Sequence, residues 1–534
     1  MIRSLLLVSV LLYLTPLSSQ TAYKFRIQLK DKGEASYSIE KPEEFLSKRA
    51  IERRKRQNIK IDTSDLPVSG KYIETIESFG CLTVVKSKWM ETVTIRCEDS
   101  SIIREIRELE FVDRADCVWI GFTTASLSGQ SFQNTSEIRS STMPHTYYGY
   151  GFDQVKTVNG HILHHDGYYG EGMQIAVMDA GFAGIDDHPL STTMNILGSK
   201  DFVFEPGGES EHGFEVLTLM ASDSPGKYTG TAPKAGYWLF RTEDGRTESP
   251  VEEDYWIAAV EYADSAGVDL INSSIGYMKF DHPFKSYTWN DLDGKTAFIT
   301  RAANIAASKG IFLVNSAGNE RMTEWEKIVF PADAEHVLTV GAVNKDSIVS
   351  IFSSTGSTAD GRVKPDIAAL GNSITFLNNK GEIYRSYGTS YSSPVMCGLA
   401  ACLWEAFPGL TNYELLDIIR KSSHRNSSPD EYSGYGIPNI ERAFKLADNA
   451  TSGIEHLVDD KQNFKVYSDN GYIKIENKAE IYPCHISIYS LDGKLILKGN
   501  LTQNQQNFYV PKTSKIVIVN LQAGKNNYSI KVNL

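Results

Sequence analysis

Short, continuous apolar runs recur through the middle of the chain, at residues 175–178, 270–271, 311–314 and 337–340. Between them lie stretches with helical spacing, such as 255–266 and 300–308. Runs apolar on both faces belong to strands covered on both sides, so residues 147–449 predict an α/β block with a mostly parallel sheet flanked by helices. Reactive groups in such sheets sit on loops beyond the carboxyl ends of the strands.

The flanking regions follow other rhythms. Residues 23–29 alternate polar and apolar before Lys30-Asp31-Lys32-Gly33, a strand entering a turn. Residues 42–59 then show helical spacing, with Phe45, Leu46, Ala50 and Ile51 on one side and Arg49, Arg53, Arg54, Lys55 and Arg56 on the other. The basic side reads first as a solvated helix face and only second as a surface for an acidic partner. Residues 22–120 are thus expected to form a small α+β domain. Residues 121–146 are Ser/Thr-rich with little apolar periodicity, which predicts an exposed linker open to proteolysis. After a polar connector at 448–461, strand-like runs appear at 464–467, 472–475, 486–489, 508–510, 516–519 and 528–532. Asp492-Gly493 between two runs is a hairpin signal, and residues 462–534 predict an antiparallel β-sandwich.

Composition narrows the class. The 534 residues are 41% hydrophobic and 22% charged, enough for several cored domains. A formal net charge of −12 disfavours a nucleic-acid partner, because phosphate binding needs a basic face. Arg3 precedes an apolar run at 5–14 that is short for a bilayer, and Ser18, Ser19 and Ala22 follow it. Residues 1–21 therefore read as a signal peptide, and a secreted or bacterial cell-surface location is expected. The six cysteines show no zinc-like spacing, so no metal site is expected from them. Cys81, Cys97 and Cys117 could supply one disulfide. Cys397 and Cys402, if helical, lie about 8 Å apart and are expected as buried thiols.

Three segments carry candidate chemistry. Ile175-Ala176-Val177-Met178-Asp179-Ala180-Gly181 ends a buried strand in a carboxylate. Glu211-His212-Gly213-Phe214 places an imidazole at the mouth of a helix. Gly388-Thr389-Ser390-Tyr391-Ser392-Ser393-Pro394 puts Ser390 at or just before a helix start, with Pro394 in its first turn. Free amides and the positive dipole end there suit a developing oxyanion. Each segment alone has a commoner explanation: a loop aspartate, a capping histidine, an N-cap serine. Together, aspartate then histidine then serine is the subtilisin chain order. A Gly-x-Ser-x-Gly elbow is absent around Ser390, which argues against an esterase of the α/β-hydrolase type.

On these motifs the block resembles a subtilase catalytic domain. The resemblance implies a serine endopeptidase acting on proteins or peptides, with Asp179, His212 and Ser390 as its triad and no cofactor. Within Asn315-Ser316-Ala317-Gly318-Asn319 it implies Asn319 as the oxyanion donor, with Ala317 and Gly318 beside the substrate. Ser273, Ser274, Ile275 and Gly276 resemble the strand that receives the substrate backbone, and Ala332 is a further candidate for the pocket wall. Structural calcium is common in the family, and no loop here carries a pattern that assigns it. Phe214 stands where Thr is usual, and Tyr391-Ser392 replaces Met-Ala. Phe45-Leu46-Ser47-Lys48-Arg49-Ala50-Ile51-Glu52-Arg53-Arg54 resembles pro-segments of Bacteroidetes-type subtilases, which implies an intramolecular inhibitor. Ile486-Ser487-Ile488-Tyr489-Ser490-Leu491-Asp492-Gly493-Lys494 is similar to type IX secretion sorting domains and implies contact with secretion machinery. The alternative is a secreted or surface binding protein on a catalytically retired subtilase scaffold.

Overall fold

The computed structural model describes residues 21–34, 36–122, 136–137, 146–186, 188–189 and 192–451. In the C-terminal part it describes 464–469, 472–478, 482–490, 493–510, 516–523 and 526–533. The proposed signal peptide and most of the proposed linker lie outside these residues. Two compact units divide at Glu441 and Arg442.

Seven parallel strands form the central sheet of the first unit. Their spatial order is Ile367–Leu370, Leu338–Val343, Phe312–Ser316, Leu270–Ser273, Gln174–Asp179, Gly236–Arg241 and Ile196–Asp201. Ile175, Ala176, Val177 and Met178 are all fully buried, as expected of a strand covered on both faces. The helix Val251–Ala266 buries Tyr255, Trp256 and Ile257, and Phe298–Ser308 adds Ala302 and Ala303 to the same core. Full burial of an Ile- or Phe-sized side chain contributes about 1.5–3 kcal/mol, so this core holds the strand ends firmly.

A second, antiparallel sheet of four strands precedes it. The strands run Leu82–Ser87, Thr92–Cys97, Thr21–Leu29, Val112–Phe122 across the sheet. It carries its own core, including Phe25, Ile27, Val93 and Ile95. Ala22, Trp89, Met90, Val118 and Trp119 instead join the core of the Val251–Ala266 helix. Glu261 of that helix accepts the Lys88 and Trp89 amides at 2.8 and 2.9 Å. Arg26 forks onto Asp254 at 2.8 and 2.5 Å while lying 3.7 Å from the Phe298 ring.

The basic helix corrects its sequence reading. It is shorter than expected, Lys48–Arg56, because Ser47 caps it by accepting from the Ala50 amide. Only part of its basic face is solvated, at Lys55 and Arg56. Arg53 and Arg54 are only 2% and 1% exposed and clasp Asp264 at 2.5 and 2.8 Å, with Lys88 at 3.4 Å. Arg49 and Arg56 reach Asp269. The acidic partner is in the same chain, far along the sequence, where periodicity cannot reveal it.

The second unit contains two antiparallel sheets sharing one core. One has strands Phe464–Asp469, Tyr472–Asn477 and Gln505–Tyr509; the other has Leu495–Leu501, Cys484–Ser490, Ile516–Ala523 and Asn526–Asn533. The expected hairpin joins Cys484–Ser490 to Leu495–Leu501, with the Gly493 amide donating to Ser490 O at 2.9 Å. All six cysteines are free. Cys81 donates its thiol to Ile76 O at 3.2 Å, and the disulfide that Cys81, Cys97 and Cys117 could supply is not formed. Cys397 and Cys402 are buried thiols, as expected.

Candidate active site

Asp179 is the last residue of its strand, at the carboxyl edge of the sheet. His212 opens the helix His212–Ala221, and Ser390 is the second residue of Thr389–Ala406. The three converge. His212 Nδ1 lies 2.7 Å from Asp179 Oδ1, and His212 Nε2 lies 3.1 Å from Ser390 Oγ. The neutral tautomer that satisfies both contacts donates from Nδ1 to the carboxylate and accepts the serine hydroxyl at Nε2. Asp179 is fully buried and also accepts the Ala180 amide at 2.8 Å. Burial alone would disfavour a charged His212 ring, but the Asp179 charge and hydrogen bond outweigh it and lift the ring to about 9.

Local sequence makes this approach possible. A methyl group on Gly213 would lie 2.5 Å from Gly181 O and 2.7 Å from Asp179 Cβ, so only glycine lets the histidine helix start so close to the aspartate strand. The serine helix starts earlier than the sequence suggests. Pro394 therefore lies inside it, without the amide that would bond the Ser390 carbonyl. Ser274 Oγ donates to that carbonyl at 2.8 Å instead. Asn272 supports the same junction, donating to Ser274 Oγ at 2.9 Å and accepting from Ser393 Oγ at 2.8 Å.

Asn319 faces the same space. Its Oδ1 accepts the Thr389 amide at 2.9 Å and the Thr389 hydroxyl at 3.2 Å, which leaves its Nδ2 amide directed away from them. Gly388 has φ +156, and a methyl group there would sit 3.0 Å from Ser390 Oγ and 3.6 Å from Asn319 Nδ2. Both polar atoms thus border one small volume in front of Gly388. That volume opens into a cleft of about 340 Å³ whose walls include His212, Ser274, Ile275, Gly276, Gly318, Asn319 and Ser390.

Three expected wall residues point elsewhere. Ser273 accepts the buried Trp256 indole at 3.1 Å, and Ala317 is fully buried in the core behind the cleft. Ala332 is likewise in that core. Sequence reasoning missed Thr389, which orients Asn319, and Glu215, whose carboxylate accepts the Tyr391 hydroxyl at 2.6 Å behind the His212 ring. The replacement of Met by Tyr391 was the available signal for the second. Among the described residues, no group of three or more His, Cys, Asp or Glu side chains could hold a metal ion.

Comparison with known proteins supplies the family and the fold. The subtilase family profile matches residues 170–437, and the Bacteroidota-type peptidase S8 propeptide domain matches residues 24–137. Subtilisin E of Bacillus subtilis is 30% identical over 303 residues, covering 55% of this chain and 70% of that protein. Serine protease AprX of the same organism is 28% identical over 310 residues, covering 51% and 66%. The crystal structure of fervidolysin from Fervidobacterium pennivorans superposes with a TM-score of 0.53 at 16% identity, over 94% of this chain and 71% of that one, and shares the fold. The chain belongs to the subtilase family of serine endopeptidases and carries a Bacteroidota-type propeptide domain.

Proposed function

We propose that Ser390 is the nucleophile of an exported endopeptidase, with His212 as its base and Asp179 as the group that orients the base. The observation that supports this most is the unbroken hydrogen-bond chain from Asp179 through His212 to Ser390 at the wall of a cleft. Ser390 Oγ attacks the scissile carbonyl while His212 Nε2 takes its proton, and the acyl-enzyme forms as the proton passes to the leaving amine. Water then repeats the sequence and frees Ser390. Asp179 holds the tautomer and stabilises the imidazolium without itself taking the proton. The Ser390 amide and Asn319 Nδ2 bind the oxyanion. Subtilases need no cofactor for this.

Ser274 enters as a support for the nucleophile's backbone, and Ile275, Gly276 and Gly318 as the walls along which substrate lies. The Ser390→Ala variant is expected to fold as the parent, by circular dichroism, and to lose about a millionfold in kcat, a magnitude known from subtilisin itself. Retention of peptide hydrolysis by a folded Ser390→Ala protein would remove the nucleophile assignment.

Residues 22–120 act in this reading as an inhibitor covalently joined to its target until the 121–146 linker is cut, leaving 147–449 as the peptidase. The first 21 residues direct export to the extracellular space or cell surface. The strand-rich residues 462–534 serve as a sorting signal for secretion machinery; unchanged export of a chain lacking them, read by culture fractionation, contradicts that role.

A further inference from the structure

The active histidine has a second acidic neighbour that the triad does not use. Glu215 lies one helical turn beyond His212 and is only 4% exposed. Its Oε2 accepts the Tyr391 hydroxyl at 2.6 Å, and Tyr391 immediately follows Ser390. The Tyr391 ring is 1% exposed, stacks on Phe376 at 5.3 Å and 7°, and stands 5.6 Å from the His212 ring. A hydroxyl fixed at one end and a stack on one face leave this ring little freedom. It forms a wall behind the imidazole.

We infer that Glu215 and Tyr391 act as one positioning pair, which holds the His212 ring aimed at Ser390 and places a carboxylate where it stabilises the ring once it has accepted the serine proton. This rests on the reading of His212 as the base. Burial, opposed by His212 and by the Tyr391 hydrogen bond, brings the Glu215 carboxyl up to about 7, so it is substantially ionised on the alkaline side of neutrality, where His212 begins to lose its proton. Its negative charge adds to that of Asp179 in favouring the charged ring. The other ionisable groups on the elements packed here are Glu211 before the helix, Glu209 in the adjoining loop, His188 against Phe214, Tyr228, and Cys397, Cys402 and Glu405 on the serine helix. The strand Asn372–Leu377 brings none.

The pH profile of kcat/KM separates this role from a structural one. In the matured parent the acid limb falls as His212 gains a proton, so activity declines as pH drops through about 9. Glu215→Gln keeps an acceptor for the Tyr391 hydroxyl but removes the charge. Tyr391→Phe keeps the ring but leaves the Glu215 carboxyl buried without that donor, which favours its neutral form and weakens its charge. Both are expected to move the acid limb to lower pH by roughly half a unit or more, because the charged ring has lost a negative neighbour. Plateau kcat per active site falls about tenfold in each, with KM nearly unchanged, and the double variant matches the singles because the pair acts as a unit. Active sites are counted by fluorophosphonate labelling of Ser390. A parent left unlabelled there overturns both this inference and the base assignment. A labelled parent whose variants keep its acid limb and per-site kcat, losing only the number of active sites, overturns this inference alone.

Discussion

At the residue scale, the site is held by groups whose roles differ from their sequence appearance. Asp179, His212 and Ser390 were legible because a charge ending a buried strand, an imidazole at a helix mouth and a serine at a helix start occur in one chain order. Ser274 was legible as a wall residue, but not as the donor that replaces the amide missing at Pro394, because that requires knowing where the helix begins. Asn319 owes its orientation to Thr389, seventy residues away, and no local pattern announces such a pairing. Asn319→Ala is expected to lower kcat by about 3 kcal/mol in transition-state terms, the magnitude known from subtilisin, with KM little changed. Steady-state kinetics that instead show a raised KM at constant kcat would make Asn319 a binding residue.

At the element scale, buried strands read correctly because both of their faces are apolar, whereas the arginine helix read wrongly. Its solution depends on Asp264, which is 210 residues from Arg54. Burial would raise the Asp264 carboxyl, but the charges of Arg54, Lys88 and Arg53 hold it at about 2. A depressed carboxyl contributes stability above its ordinary value, and that contribution is lost as pH falls through about 2, so mild acid leaves the clasp closed. Asp264→Asn strands the buried Arg53 guanidinium and leaves Arg54 with Asp65 alone, a cost of about 3–5 kcal/mol. Inhibition of the matured variant by the released pro-segment is expected to weaken by at least a hundredfold, read as Ki at neutral pH; an unchanged Ki removes the clasp from the account. In the tail, the strand Leu495–Leu501 was signalled only by the Asp492-Gly493 turn and not as a run of its own; it lies at a sheet edge, where Lys498-Gly499-Asn500 breaks the alternation without harm.

At the scale of the whole molecule, the order of parts was legible from changes of rhythm: alternation, then buried runs with helices, then short strands. The closeness of the first part to the second was not. The N-terminal domain shares a core with the Val251–Ala266 helix and surrounds its acidic side chains with cations, so the two belong to one compact unit in the uncut chain. Such a precursor is consistent with an enzyme whose site is assembled before it is released. Catalysis here depends on His212 making a single hydroxyl reactive, and the direct measurement is labelling of the matured protein with a fluorophosphonate, followed by peptide mass mapping. One adduct on Ser390, lost in His212→Ala, is the predicted result. An adduct on another residue, or peptide hydrolysis by a protein whose Ser390 stays unlabelled, would contradict it.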